Sequence, residues 1–124
     1  MMLLTKANKE KLLDNGNKQL QLRGTDKCHD FYPVVKLFMP LSAATWLLTE
    51  IDPEDTDIAF GLCDLGMGFP ELRTVSLSEL ESVKIHGVSI ERDLHFKADK
   101  PISEYSRLAR QHGHIVEQSE GRSI

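Results

Sequence analysis

Residues 45–65 read Thr45-Trp-Leu-Leu-Thr-Glu-Ile-Asp-Pro-Glu-Asp-Thr-Asp-Ile-Ala-Phe-Gly-Leu-Cys-Asp-Leu65. Two apolar runs, Thr45–Ile51 and Ile58–Leu65, are about as long as ordinary strands. Between them stands Asp52-Pro-Glu-Asp-Thr-Asp57, a dense cluster of turn formers. The spacing predicts an antiparallel hairpin. Upstream, Val34–Met39 is a further strand bracketed by Pro33 and Pro40. Downstream, Glu71–Val75 is predicted as a fourth strand and Val88–Lys97 as a fifth, with a turn at His86-Gly87.

Helix signals stand at both ends. Thr5 is a good N-cap for a helix from about Lys6, with Ala7, Leu12 and Leu13 as a thin apolar stripe. Gly16 can end that helix in a left-handed conformation, and Asn17–Leu22 can add a further turn or two. Ser76-Leu-Ser-Glu79 has the form of a capping box that opens a short helical turn through Val83. Asp99-Lys-Pro101 opens a last helix, with Ile102, Tyr105, Leu108 and Ala109 on one face and Gly113 as its end. The expectation is therefore α+β: an antiparallel sheet of four to five strands with an N-terminal and a C-terminal helix. Residues 1–113 form one domain, and 114–124 form a polar C-terminal tail.

The chain has 124 residues and a formal net charge of −4. That balance argues against direct binding of duplex nucleic acid, which needs a basic footprint. Charge is uneven along the chain. Residues 1–27 carry six Lys/Arg and three acids, whereas residues 50–81 carry nine acids and one base, Arg73. An acidic band can occupy a basic cleft on a partner. Glu50, Asp52, Glu54, Asp55 and Asp57 are the candidate partner-binding residues on this reading. The alternative is that these acids merely serve the turn in which they sit. Two widely separated cysteines, Cys28 and Cys63, no signal peptide and no apolar run of membrane-spanning length point to a cytoplasmic protein that does not enter a membrane.

Ile90-Glu-Arg-Asp-Leu-His-Phe96 alternates like a strand. If it is one, Glu91, Asp93 and His95 line one face, while Ile90, Leu94 and Phe96 are buried on the other. Two carboxylates and an imidazole in a row suit acid/base chemistry, half of a metal site, or a solvated strand face. Asp64 and Glu71 flank the loop Gly66-Met-Gly68 and can complete a polar cluster, or Asp64 can simply cap that loop. No zinc or calcium spacing is present. The Asp52–Asp57 run has Asp57 and Cys63 where a calcium loop needs its glycine and glutamate. The Gly-x-Gly pair lacks the third glycine and the helix of a phosphate loop. No cofactor and no metal ion are therefore expected. Cys63 reads as a small buried hydrophobe, Trp46 as core, and His112 and His114 as helix-end residues.

Ala44-Thr-Trp-Leu-Leu-Thr-Glu50, Ala59-Phe-Gly-Leu-Cys-Asp-Leu-Gly66, Gly68-Phe-Pro-Glu-Leu72, Val75-Ser-Leu-Ser-Glu-Leu80 and Glu91-Arg-Asp-Leu-His-Phe96 form five ordered blocks. Together they resemble the bacterial domain-of-unknown-function 2958 family over roughly Leu3 to Ala109. The family's motif positions fall here on Trp46, Glu50, Asp64, Gly66, Glu71, Glu91, Asp93 and His95. Arg73 stands where the family often has glycine. The resemblance implies an accessory protein of plasmids, phages and integrative elements, with no established reaction to carry over. The expected function is a small cytoplasmic accessory factor of a mobile genetic element that binds a protein partner through an acidic sheet face and the loop Asp64–Glu71. The alternative is a small-ligand-binding protein or hydrolase-like enzyme that uses Asp64, Glu71, Glu91, Asp93 and His95 in a cleft.

Overall fold

The computed structural model describes residues 3–117. Its elements in chain order are α1 (Lys6–Leu20), β1 (Val35–Phe38), β2 (Thr45–Ile51), β3 (Ile58–Asp64), β4 (Glu71–Ser76), α2 (Leu77–Ser82), β5 (Lys84–Ile85), β6 (Val88–Ser89), β7 (Glu91–Arg92) and α3 (Ile102–His112). A five-stranded antiparallel sheet runs in the order β4-β3-β2-β1-β7, and β5 and β6 form a separate hairpin. The fold is α+β, with one helix at each end of the chain.

The hairpin of β2 and β3 is the centre of the sheet. Side chains on β2 alternate between two cores, as a strand requires. Trp46 and Leu48 join Leu12, Val35 and Leu37 on the side of α1. Leu47 joins Leu62 with Ile102, Tyr105 and Ala109 of α3 on the other side. Because both faces of β2 are covered, its sequence is a nearly continuous apolar run rather than an alternating one.

One irregularity sets how α1 packs. The β2–β3 register pairs Leu48 with Gly61 and Glu50 with Phe60, so Thr49 is the extra residue of a β-bulge. The carbonyl of Thr49 accepts a hydrogen bond from the buried Asn15 side-chain amide at 2.9 Å. One residue on, a Cβ at Gly16 would stand 1.8 Å from the Ile51 carbonyl oxygen. Gly16 is thus not the end of the helix. It lies inside it, where the absence of a side chain lets α1 touch the β2 backbone. α1 starts as expected, with the Thr5 hydroxyl accepting from the Asn8 N–H at 3.0 Å and the Asn8 side chain accepting from the Thr5 N–H.

The predicted long strand Val88–Lys97 is broken in two. Val88–Ser89 pairs with Lys84–Ile85 across a turn in which His86 and Gly87 both have positive φ, 50° and 79°. Glu91–Arg92 then pairs with Phe38 and Leu37 of β1. The strand ends there because Asp93 closes a turn on itself. Its carboxylate accepts the His95 N–H at 2.9 Å, and its carbonyl accepts the Phe96 N–H at 3.4 Å. Ile90 is buried and Phe96 packs beneath α3, but Leu94 is 75% exposed rather than buried. The Arg92 side chain reaches back to donate to the Leu3 carbonyl at 2.6 Å.

α3 has no side-chain cap of its own at Pro101. The loop before β1 supplies one: Phe31 O accepts the Ile102 N–H at 2.8 Å, and Asp30 accepts the Ser103 N–H at 3.0 Å. Gly113 ends α3 in the left-handed conformation, as expected. The segment that follows does not fray at once. Ile115 packs on the α3 core, and Glu117 pairs with Lys36. Residues 118–124 of the expected tail lie outside the described residues.

The Gly16 contact makes a counter-intuitive prediction. Helix propensity alone favours Ala over Gly by ~1 kcal/mol, yet Gly16→Ala is expected to destabilise by about 1–3 kcal/mol, because the helix must back away from β2. Urea unfolding followed by circular dichroism reads the difference. A gain in stability would mean that α1 does not sit on the Ile51 carbonyl.

Candidate functional site

The sequence-derived polar cluster does not assemble. β4 and β7 are opposite edges of the sheet. Glu71, on β4, is therefore separated by the sheet's width from Glu91, on β7, and from the turn that holds Asp93 and His95. Among the described residues, no three His, Cys, Asp or Glu side chains group in a way that could hold a metal ion.

Asp64 has a structural task. It is 2% exposed, and its two oxygens accept the Gly66 N–H at 2.8 Å and the Ile115 N–H at 3.0 Å. It fixes the base of the 65–70 loop and ties the segment after α3 to the end of β3. Glu71 pairs with Arg73 two residues on, both side chains about half exposed. Asp93 lies 3.5 Å from the Lys36 ammonium, which also pairs with Glu117. Glu91, Leu94 and His95 line a shallow hollow of about 340 Å³ beside Phe38.

The acidic turn is also occupied internally. Asp52 accepts the Glu54 N–H at 2.9 Å and Asp55 accepts the Asp57 N–H at 3.3 Å. Glu54 pairs with Arg23 at 2.6 Å. Asp57 accepts from the Ser76 and Ser78 hydroxyls and the Ser78 N–H, which caps α2 and holds the Asp57 carboxyl below its ordinary range. At α2, Ser76 accepts the Glu79 N–H at 3.2 Å, which is one half of the expected capping box, and among the described residues Glu79 does not return the bond to the Ser76 N–H. Cys63 is buried, and burial pushes its thiol up to about 11, which suits packing and not nucleophilic attack.

Glu50 differs from the other acids. The bulge at Thr49 turns it toward a cavity of about 440 Å³, walled by the last turns of α1, the loop that follows them and the middle of the sheet. Glu50, Phe60 and Thr74 are in register across β2, β3 and β4. The Thr49 hydroxyl is 3.1 Å from the Glu50 carboxylate, and the Gln19 amide also bonds to it. Burial nevertheless prevails and raises the Glu50 carboxyl above its ordinary value.

Within the loop Asp64–Glu71, which the sequence marks for partner binding, two apolar residues stand out that the sequence reading does not single out. Met67 and Phe69 are 70% and 79% exposed. Gly66 and Gly68 alternate with them at φ 81° and 87°, a conformation that presents two large apolar side chains at the tip of a tight loop. Large apolar residues interleaved with glycines, immediately after a strand, are the signal that could have marked them. The neighbouring strand β4 is an exposed sheet edge, with Leu72 partly uncovered.

These features define a small α+β domain with an apolar loop at one sheet edge and a carboxylate-bearing pocket beside α1. The family model described as protein of unknown function (DUF2958) matches residues 3–116, and the chain belongs to that family. No curated protein and no solved structure matches the chain. Among the described residues, no helix is long and apolar enough to cross a membrane.

The raised Glu50 carboxyl carries a pH dependence. A carboxyl whose folded value lies above its unfolded one opposes folding when ionised. The penalty is full above the folded value and vanishes below the unfolded value of 4.5. Glu50→Gln is therefore expected to raise the melting temperature at neutral pH by a small amount, on the order of 1–3 °C. That advantage should shrink as pH falls through the raised range. A variant less stable than the parent at pH 7 would show that the ionised carboxylate is held favourably.

Proposed function

We propose that this protein is a non-enzymatic binding module that docks a protein partner through the 65–69 loop and the adjacent edge strand β4. The observation that carries the reading is the exposure of Met67 and Phe69 on a loop whose base is fixed by Asp64. Exposed large apolar residues grouped on an ordered loop are costly in water and typical of interaction sites. The edge of β4 offers unpaired backbone donors and acceptors to an extended segment. The partner on this reading presents an apolar pocket for Phe69 and a strand that adds to β4. Duplex nucleic acid is not the partner, given the net charge of −4. An accessory role in a mobile genetic element rests on the family resemblance. A cytoplasmic setting rests on the two free thiols.

The enzyme alternative loses its main support, because Asp64 and Glu71 stand at one end of the sheet order and Glu91, Asp93 and His95 at the other. The acidic turn is outside this docking element, and its carboxylates have internal structural roles with backbone N–H groups, serine hydroxyls and Arg23.

Affinity capture from the native host, with the Met67→Ser/Phe69→Ser double variant beside the parent, tests the proposal. Truncating two apolar anchors is expected to cost about 1–3 kcal/mol of binding, roughly tenfold or more in affinity. Partners seen with the parent should fall at least that far with the variant, at unchanged melting temperature. Equal capture by both proteins would refute the loop as the docking element.

A further inference from the structure

The cavity beside α1 has a chemistry of its own, independent of the docking loop. Its volume of about 440 Å³ falls within the range of small-molecule sites. Its floor is the cross-strand row Glu50, Phe60 and Thr74. One wall is Gly16 and Gln19 of α1, and the loop after α1 brings Cys28 to the rim. Phe60 is half-buried and sits next to Glu50, so an apolar surface and a carboxylate are presented side by side.

The carboxylate is the odd member of this site. Its hydrogen-bond partners, the Thr49 hydroxyl and the Gln19 amide, are neutral. Two cations border the cavity, but Arg23 is held by Glu54 at 2.6 Å and Lys27 stands on the outer loop. The influence of His29 on the Glu50 carboxyl is weaker than that of its hydrogen bonds, and Asp52 lines the same wall. Among the described residues no cation forms an ion pair with this half-buried carboxylate, and a directly paired cation is the partner that best offsets its desolvation. A β-bulge at this position is the means by which a sheet re-aims one side chain, and here the re-aimed side chain is Glu50.

We infer that this cavity is a binding site for a small organic cation, a primary amine or guanidine on an apolar body. The charged head pairs with Glu50, and the body lies along Phe60 and the apolar part of the α1 wall. Gln19 and Thr74 flank the head and fix its direction. Ring-to-cation attraction from Phe60 adds to the carboxylate's pull when the head passes over the ring.

Amide NMR titration of the full chain at neutral pH tests the inference, with phenethylamine and agmatine as probes and 2-phenylethanol as the neutral counterpart. At least one amine should produce saturable shifts centred on Gln19, Glu50, Phe60 and Thr74, with at least tenfold higher affinity than the alcohol. Glu50→Gln should remove that tenfold advantage while leaving the spectrum of the free protein otherwise unchanged. Thr74→Arg, on the exposed edge strand, places a competing cation at the rim and should weaken amine binding in a protein whose core is untouched. The inference is overturned if the alcohol binds as well as the amines, if Glu50→Gln and Thr74→Arg leave amine affinity unchanged, if the shifts centre elsewhere, or if neither amine saturates by about 10 mM, a limit well beyond specific recognition.

Discussion

The contact of α1 with the bulged strand β2 is the constraint on which the rest of the molecule depends. A bulge leaves one residue without a ladder partner, and a buried, unpaired carbonyl costs free energy. Here the orphan carbonyl belongs to Thr49, and Asn15 satisfies it from the helix. Gly16 then allows the helix to approach the Ile51 carbonyl more closely than any side chain permits. These two adjacent residues fix the depth and rotation of α1. They also fix where its last turns stand, and with them the wall of the cavity that Glu50 faces.

The same economy explains the acids. A run such as Asp52–Asp57 looks like a charged surface when read as composition. In three dimensions each of its aspartates accepts hydrogen bonds, mostly from backbone N–H groups of the turn or of α2. Asp64 follows the same rule at the other end of the hairpin, joining the 65–70 loop to the segment after α3. Carboxylates that fix turns in this way keep their charge, but their positions are set by the turn they serve. Glu50 stands apart because it sits in the strand, at the bulge, and has no turn to cap.

Much of the fold was legible in the sequence because local signals and burial agree over the central hairpin. Thr45–Ile51 came out with the predicted bounds, the Thr5 cap and the Gly113 end were read correctly, and the α3 stripe is the buried stripe. What failed shares one cause: a residue whose role is set by a distant partner. Gly16 looks like a helix terminator until β2 is placed against it. Ile90–Phe96 alternates like a strand until Asp93 turns the chain by accepting the His95 N–H. The candidate site failed for the same reason, since strand order decides whether Glu71 and Glu91 are neighbours, and strand order is not written in local pattern. Glu50 was singled out as part of an acidic band. Its position beside Phe60 depends on a bulge with no sequence signature of its own.

On the proposed reading, the exposed edge at β4 keeps a binding element without inviting indiscriminate pairing. The edge strand carries Glu71 and Arg73, a charged pair of the kind that blunts unwanted strand addition. The most exposed large apolar residues near this edge, Met67 and Phe69, are on the loop before the strand, and Leu72 on the strand is less exposed. A passing strand of another chain meets the charges on β4 without gaining the apolar contacts. A partner shaped to take Phe69 while laying a strand along β4 gains both. Selectivity then comes from the need to satisfy two elements at once. Under that proposal Asp64 would serve the requirement directly, because a loop anchored at its base holds the two apolar side chains at a fixed offset from the strand edge and lowers the ordering cost of binding.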